Sequence, residues 1–250
     1  MKRNRFYPYL PLAVALMGGA GCALRMALYT LEESSGLLPQ NHPLHIAAVI
    51  FSALVALAVT LAVLPLDGSS KYRLNFPASS IAGFGALAAG IFMMPNALAI
   101  LGQATNPLSL VWALLAFLCA PCMMITGICR LKGRRPYFLL HAAICLYFAI
   151  HMVCQYRIWS GTPQVETHLI PLLACVFLAL TGYYRTAFDV NMAVRRQLLL
   201  CGLPAGFFCI SSLGGNGNKW FYLAGGFWSL TCLCVILPPK TQEVTEDVSA

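Results

Sequence analysis

The chain has 250 residues, of which 59% are hydrophobic and 10% charged, and its mean hydropathy is +0.74. A soluble domain carries roughly 25% charged residues because water must wet its surface. A soluble enzyme, a disordered chain and a nucleic-acid binder are therefore excluded, despite the formal net charge of +8. Apolar runs near the roughly 20 residues that cross a bilayer point to an all-α, polytopic membrane bundle.

The first predicted span, 9–31, follows Lys2, Arg3 and Arg5. That pattern, with Ala20-Gly21-Cys22, imitates a lipoprotein signal, but Gly19 stands where the cleavage box wants a leucine-like residue. The apolar run also continues past Cys22, so the span is expected to stay uncleaved. It holds Arg25, the one charge well inside a span, about six residues or ~9 Å from its outer end. Tyr29 lies one turn further out on the same face. The second span, 45–64, follows a loop with Glu32 and Glu33. The third, 79–101, contains Pro95 before Asn96, and proline frees a carbonyl by lacking the donor that would reach it.

The fourth span, 108–129, contains Cys119-Ala-Pro-Cys122, the spacing of a thiol–disulfide oxidoreductase. The predicted exported loops 32–44, 102–107, 157–168 and 214–220 hold none of the eleven cysteines. The cysteines are thus read as reduced packing residues, with a redox pair at Cys119 and Cys122 as the weaker reading. Arg130, Lys132, Arg134 and Arg135 then form a basic cluster suited to anionic headgroups.

In the fifth span, 137–156, Tyr147, His151 and Gln155 recur at spacing four and make one polar stripe; His141 lies one turn from the other end. The sixth span, 169–184, leads to Arg185 and Asp189, which are spaced for an i,i+4 ion pair if the helix continues. The seventh, 198–213, is short and interrupted by Gly202, Pro204 and Gly206, and Gly202-xxx-Gly206 reads as a helix–helix packing face. The eighth is 221–237, with a polar tail at 240–250. Cys232-Leu-Cys234 has neither metal nor redox spacing, and the sequence implies no metal or cofactor.

Lys and Arg collect on cytoplasmic loops. Eight spans with both termini cytoplasmic leave only Arg157 and Lys219 exported, whereas a seven-span reading moves Lys219 and Lys240. Under eight spans, Arg25, Tyr29, Asn96, Tyr147, His151 and Gln155 share one depth in the outer half. Polar groups in hydrocarbon are costly and usually face a bundle interior or a wet cavity. One reading is an outward-opening polar pocket with Arg25 as anion anchor. The other has Arg25 snorkelling or pairing with Glu32 or Glu33, and the stripe bonding neighbouring helices. A faint repeat links Ile125-Thr-Gly127 and Arg130 to Leu180-Thr-Gly182 and Arg185, the kind of internal symmetry found in transporters.

Arg25, the Gly36-Leu-Leu stretch leading to His42-Pro43, and Phe188-Asp189 before Arg195-Arg196 resemble uncharacterised multi-span membrane proteins of Clostridia-type bacteria. That resemblance implies a bacterial cytoplasmic membrane and no particular activity. Eight-span lysoplasmalogenase-type hydrolases are similar in length, but they rely on intramembrane carboxylates that no predicted span here contains. The expected function is small-molecule binding or transport. The alternatives are a non-catalytic assembly or sensory partner and, third, a membrane enzyme.

Overall fold

The computed structural model describes residues 9–31, 42–66, 72–161, 165–215 and 217–233. Lys2, Arg3, Arg5, Glu32, Glu33, the Gly36-Leu-Leu stretch, Lys71, Cys234, Lys240 and the 240–250 tail lie outside them, as do the side chains of Arg73 and Glu166. Among the described residues the chain is all-helical, with eight long α-helices, one short α-helix and a 3-10 turn at Val165–His168; the α-helices are named in chain order. These are α1 (Leu10–Tyr29), α2 (Pro43–Val63), the short α3 (Tyr72–Asn75), α4 (Ser80–Gly102), α5 (Pro107–Leu131), α6 (Phe138–Trp159), α7 (Leu169–Asp189), α8 (Arg195–Ser212) and α9 (Lys219–Leu233). Six of them, α1, α2, α4, α5, α6 and α7, are long and apolar enough to cross a membrane by length and composition.

Local chemistry sets the helix starts. Pro43 and Pro107 occupy first-turn positions where a missing N–H costs nothing. Asn106 accepts from the Ser109 amide at 2.9 Å while Ser109 reaches back to Asn106, a reciprocal cap. Helix α5 stops at Gly133, whose φ of +63° is the left-handed conformation that ends helices. The amide of Arg134 then bonds the Cys129 carbonyl and turns the chain into α6.

The bundle is built inside out relative to a soluble protein. On α2, Ile46, Ile50, Leu54, Leu57 and Leu61 are exposed, while Ala48, Ser52, Val55, Val59 and Val63 face the protein. Both stripes keep the helical spacing, so the larger residues are left for lipid and the smaller ones for packing.

Cross-helix contacts fix the directions. Gly83 and Gly90 of α4 meet Leu131 and Met124 of α5, Gly182 of α7 meets Cys145 of α6, and Gly202 and Gly206 of α8 meet Leu233 and Leu230 of α9. Each pair is antiparallel, whereas α1 runs parallel to α8, with Gly18 against Phe207 and Gly214 against Cys22. The eight long helices therefore alternate up and down. One end of the bundle gathers Arg130, Arg185 and Arg195; the other gathers Asn106, Arg157 and Asn218. We call these the arginine end and the asparagine end.

Helices α8 and α9 form the centre. Thirteen of the eighteen α8 residues are buried, and α9 packs on α1, α4, α7 and α8. This explains why the seventh predicted span is weak. Its neighbours are helices, so it does not need the long run of large apolar residues that lipid contact demands. Gly202 and Gly206, expected as a packing face, are covered by α9 of the same chain. A Cβ at Gly206 collides with the Leu230 side chain. Gly206→Val is expected to lower stability by about 1–3 kcal/mol, the usual cost of overpacking, read as a lower unfolding midpoint in detergent.

Candidate functional site

At the asparagine end, four helices bring five side chains into one hydrogen-bonded chain. Asn218, at the start of α9, accepts the Trp220 amide on Oδ1 at 3.2 Å. That contact orients its amide, so Nδ2 donates to Asn96 Oδ1 at 2.8 Å. Asn96 Nδ2 in turn donates to the Tyr147 hydroxyl at 2.6 Å and lies 3.2 Å from Met93 Sδ. The Tyr147 oxygen is 3.2 Å from His151 Nδ1, and Trp112 Nε1 donates to the same nitrogen at 3.1 Å. An indole is only a donor, so His151 Nδ1 is the acceptor and the ring proton sits on Nε2. Tyr147, having accepted from Asn96, turns its O–H toward the same Nδ1 lone pair and shares it with Trp112.

The network is packed. Asn96, Tyr147 and His151 are buried. The imidazole stacks on Phe221 with ring centroids 3.6 Å apart and planes 9° from parallel, and Trp112 meets it edge-on. Pro95 lies within α4 just before Asn96. Trp112→Phe keeps the ring and removes the donor. It is expected to lower stability by about 0.6–1.7 kcal/mol, the range of membrane interhelical hydrogen bonds, measurable by unfolding in mixed micelles.

Above Trp112 opens a groove between the start of α5 and the end of α6, with a volume of about 670 Å³. Trp112 and Cys154, both buried, form its floor. Leu108 and Ile158 form its walls, and Asn106, Ser109 and Arg157 its rim. Gln155 is half-buried and joins none of the network's hydrogen bonds described above.

Arg25 and Tyr29 occupy a separate cleft, with His45, Thr167 and Ile170. Arg25 is buried, pointing into the protein, but it faces the Gly214–Gly215 turn instead of His151. Its Nη2 donates to the Tyr29 hydroxyl at 3.3 Å, and Nη1 has no partner. Phe221 and Tyr222 separate the two groups, one stacked on His151 and the other near Arg25. His168, just before α7, stacks on Trp159. Burial, and secondarily the Arg25 guanidinium, push its pKa below the usual histidine value. Of the six residues expected around one pocket, Asn96, Tyr147 and His151 meet in the packed network, Arg25 and Tyr29 lie together in the separate cleft, and Gln155 stands outside both.

At the arginine end, α7 does continue to Asp189, yet the expected Arg185–Asp189 pair does not form. Asp189 Oδ2 instead lies 2.5 Å from His141 Nδ1 of α6, the one ion pair among the described residues. Arg185 turns away and lies over the Phe76 ring, 3.6 Å from its centroid, while Arg130 lies over the same ring at 5.1 Å. The basic cluster also divides. Lys132, Arg134 and Arg135 are exposed, but Arg130 is buried, because it lies on the inward stripe of α5 with Met123, Thr126 and Gly127. Cys119 and Cys122 are buried in the middle of α5 beside Pro121.

No protein family, curated protein or solved structure matches this chain in comparisons with known proteins.

Proposed function

We propose that the protein crosses a bacterial cytoplasmic membrane eight times with both termini in the cytoplasm, and that it binds a small amphiphilic anion as a binding or transport protein. Three features support this reading. Among the Lys and Arg whose side chains are described, most, namely Arg130, Lys132, Arg134, Arg135, Arg185, Arg195 and Arg196, lie at the arginine end, as the charge rule asks of a cytoplasmic face. All eight helices alternate in direction, so α8 and α9 run as spans although lipid reaches them little. The groove at the asparagine end then opens outward.

The observation that carries the binding reading is that groove. Its volume falls within the roughly 300–1,000 Å³ of small-molecule sites. Leu108, Ile158 and the Trp112 indole offer an apolar bed, and Arg157 offers a cation at the rim. Trp112 also holds His151 by hydrogen bond, so a ligand pressing on the indole acts directly on the buried network. Arg25, in its own cleft, is a second outward-side cation for the same class of ligand. Gly202 and Gly206 serve the internal α8–α9 contact in this account, and the exposed Lys132, Arg134 and Arg135 meet anionic headgroups.

Ligand-retaining mass spectrometry of the full chain tests the reading. A small acid is expected to co-purify with the wild-type protein and to fall about tenfold or more in Arg157→Gln, with partial retention in Arg157→Lys. Wild-type protein that carries lipid alone, or a second polypeptide, contradicts binding in the groove. The second polypeptide favours an assembly role.

A further inference from the structure

We infer that the arginine end holds a second, separate ligand site: a cleft in which Arg130 and Arg185 bind a phosphate-type oxyanion. This inference does not depend on the groove. The cleft lies between α4, α5, α6, α7 and α9, with Ala82, Ala86, Thr126, Arg130, His141 and Arg185 on its walls. Its enclosed volume is only about 10 Å³, room for about one water, so a single oxyanion group enters only as the walls part and a larger molecule does not.

Charge makes the case. Arg130 and Arg185 are 4% and 2% exposed, and a guanidinium does not lose its proton in a protein. Arg130 Nε and Nη2 and Arg185 Nη1 are buried without hydrogen-bond partners. Stacking on Phe76 satisfies the faces of both guanidiniums but not their N–H edges. Asp189, the one acid whose side chain is described, gives Oδ2 to His141 and makes no ion pair with either arginine. Two buried cations with three idle donors are costly unless an anion completes them.

The chemistry of the anion follows from the donors. Guanidinium edges match the oxygens of phosphate and carboxylate, and His141, with Nδ1 turned to Asp189, leaves Nε2 as its remaining polar atom. Arg130 is the penultimate residue of α5 and Arg185 lies one turn from the end of α7, so the cleft sits at the depth of lipid headgroups. Ala82 and Ala86 leave room on the α4 side where larger residues would close it. The ligand is therefore a phosphate group, supplied either by an anionic phospholipid headgroup or by free inorganic phosphate.

Thermal unfolding of the full-length protein in a neutral detergent is the test. The probes are inorganic phosphate against chloride at matched ionic strength, and mixed micelles of phosphatidylglycerol against phosphatidylcholine. A saturable rise in unfolding midpoint with phosphate identifies free phosphate as a ligand, and a rise only with phosphatidylglycerol identifies the headgroup. In either case Arg130→Lys is expected to weaken the apparent affinity about tenfold or more. Ala86→Val, which narrows the cleft and leaves every charge in place, is expected to do the same. Lys132→Gln with Arg134→Gln is expected to leave the effect intact. The proposal fails if neither probe stabilises the wild-type protein beyond its control. It also fails if the stabilisation survives Ala86→Val and disappears with the two surface substitutions.

Discussion

Asp189→Leu is expected to destabilise the protein by about 3–5 kcal/mol, because it strands the His141 ring nitrogen and removes the negative charge that acts on the buried Arg185 guanidinium. His141 loses the carboxylate 2.5 Å away, and Arg185 and Arg130 lose the nearest described negative charge. His141→Leu alone should cost less, because it leaves a carboxylate that still has cations around it. The double substitution should cost less than the sum of the two, with a coupling of about 0.5–3 kcal/mol. Reversible unfolding in mixed micelles, with all four forms measured, gives the cycle. Additivity would mean that the pair is not energetically coupled.

The second large effect is expected at Asn96. Asn96→Leu fits the helix but leaves the Asn218 amide and the Tyr147 hydroxyl without their partner. A buried polar group stranded in this way costs about 1–3 kcal/mol. The Tyr147 hydroxyl loses the donor that fixes it and keeps only its contact with His151. Gln155→Leu is the informative comparison. It lies on the same spacing-four stripe as Tyr147 and His151, but it is half-buried and outside the network, so its replacement should stay within about 0.5 kcal/mol of wild type. Equal effects at Asn96 and Gln155 would mean that position on the stripe matters more than the hydrogen-bonded chain.

That contrast shows what the sequence contains. Helical spacing finds faces, and it correctly groups Tyr147 with His151, but it cannot say how far along a face burial extends. Asn96 was legible because an amide beside Pro95 in an apolar run has few other uses. Trp112 was not, since within a span an indole reads as one more apolar residue until its N–H is seen to point at His151. Asn218 was not legible at all: its bond to Asn96 spans 122 positions, which no local pattern reveals.

The same limit governs the charged groups. Arg25 was recognisable as a costly residue inside a span, yet its direction depends on the Gly214–Gly215 turn nearly two hundred residues later. Asp189 looked like the i,i+4 partner of Arg185 because local spacing is all that one helix reveals. The competitor, His141, comes from another helix 48 residues away. Arg130 reads as one of four basic residues in a loop, and only the inward turn of α5 separates it from Lys132, Arg134 and Arg135. The weakness of the seventh span was itself a signal. A helix sheathed by protein can carry Gly202, Pro204 and Gly206, whereas one facing lipid is held to a larger apolar surface.

The central claim, an outward groove on an eight-span bundle whose arginine end is cytoplasmic, is tested most directly by single-cysteine labelling. In intact cells carrying a variant without native cysteines, Gly133→Cys and Ser160→Cys are treated with a membrane-impermeant maleimide. The account predicts labelling of Ser160→Cys from outside, and of Gly133→Cys only after the membrane is opened. Labelling of Gly133→Cys from outside would contradict it.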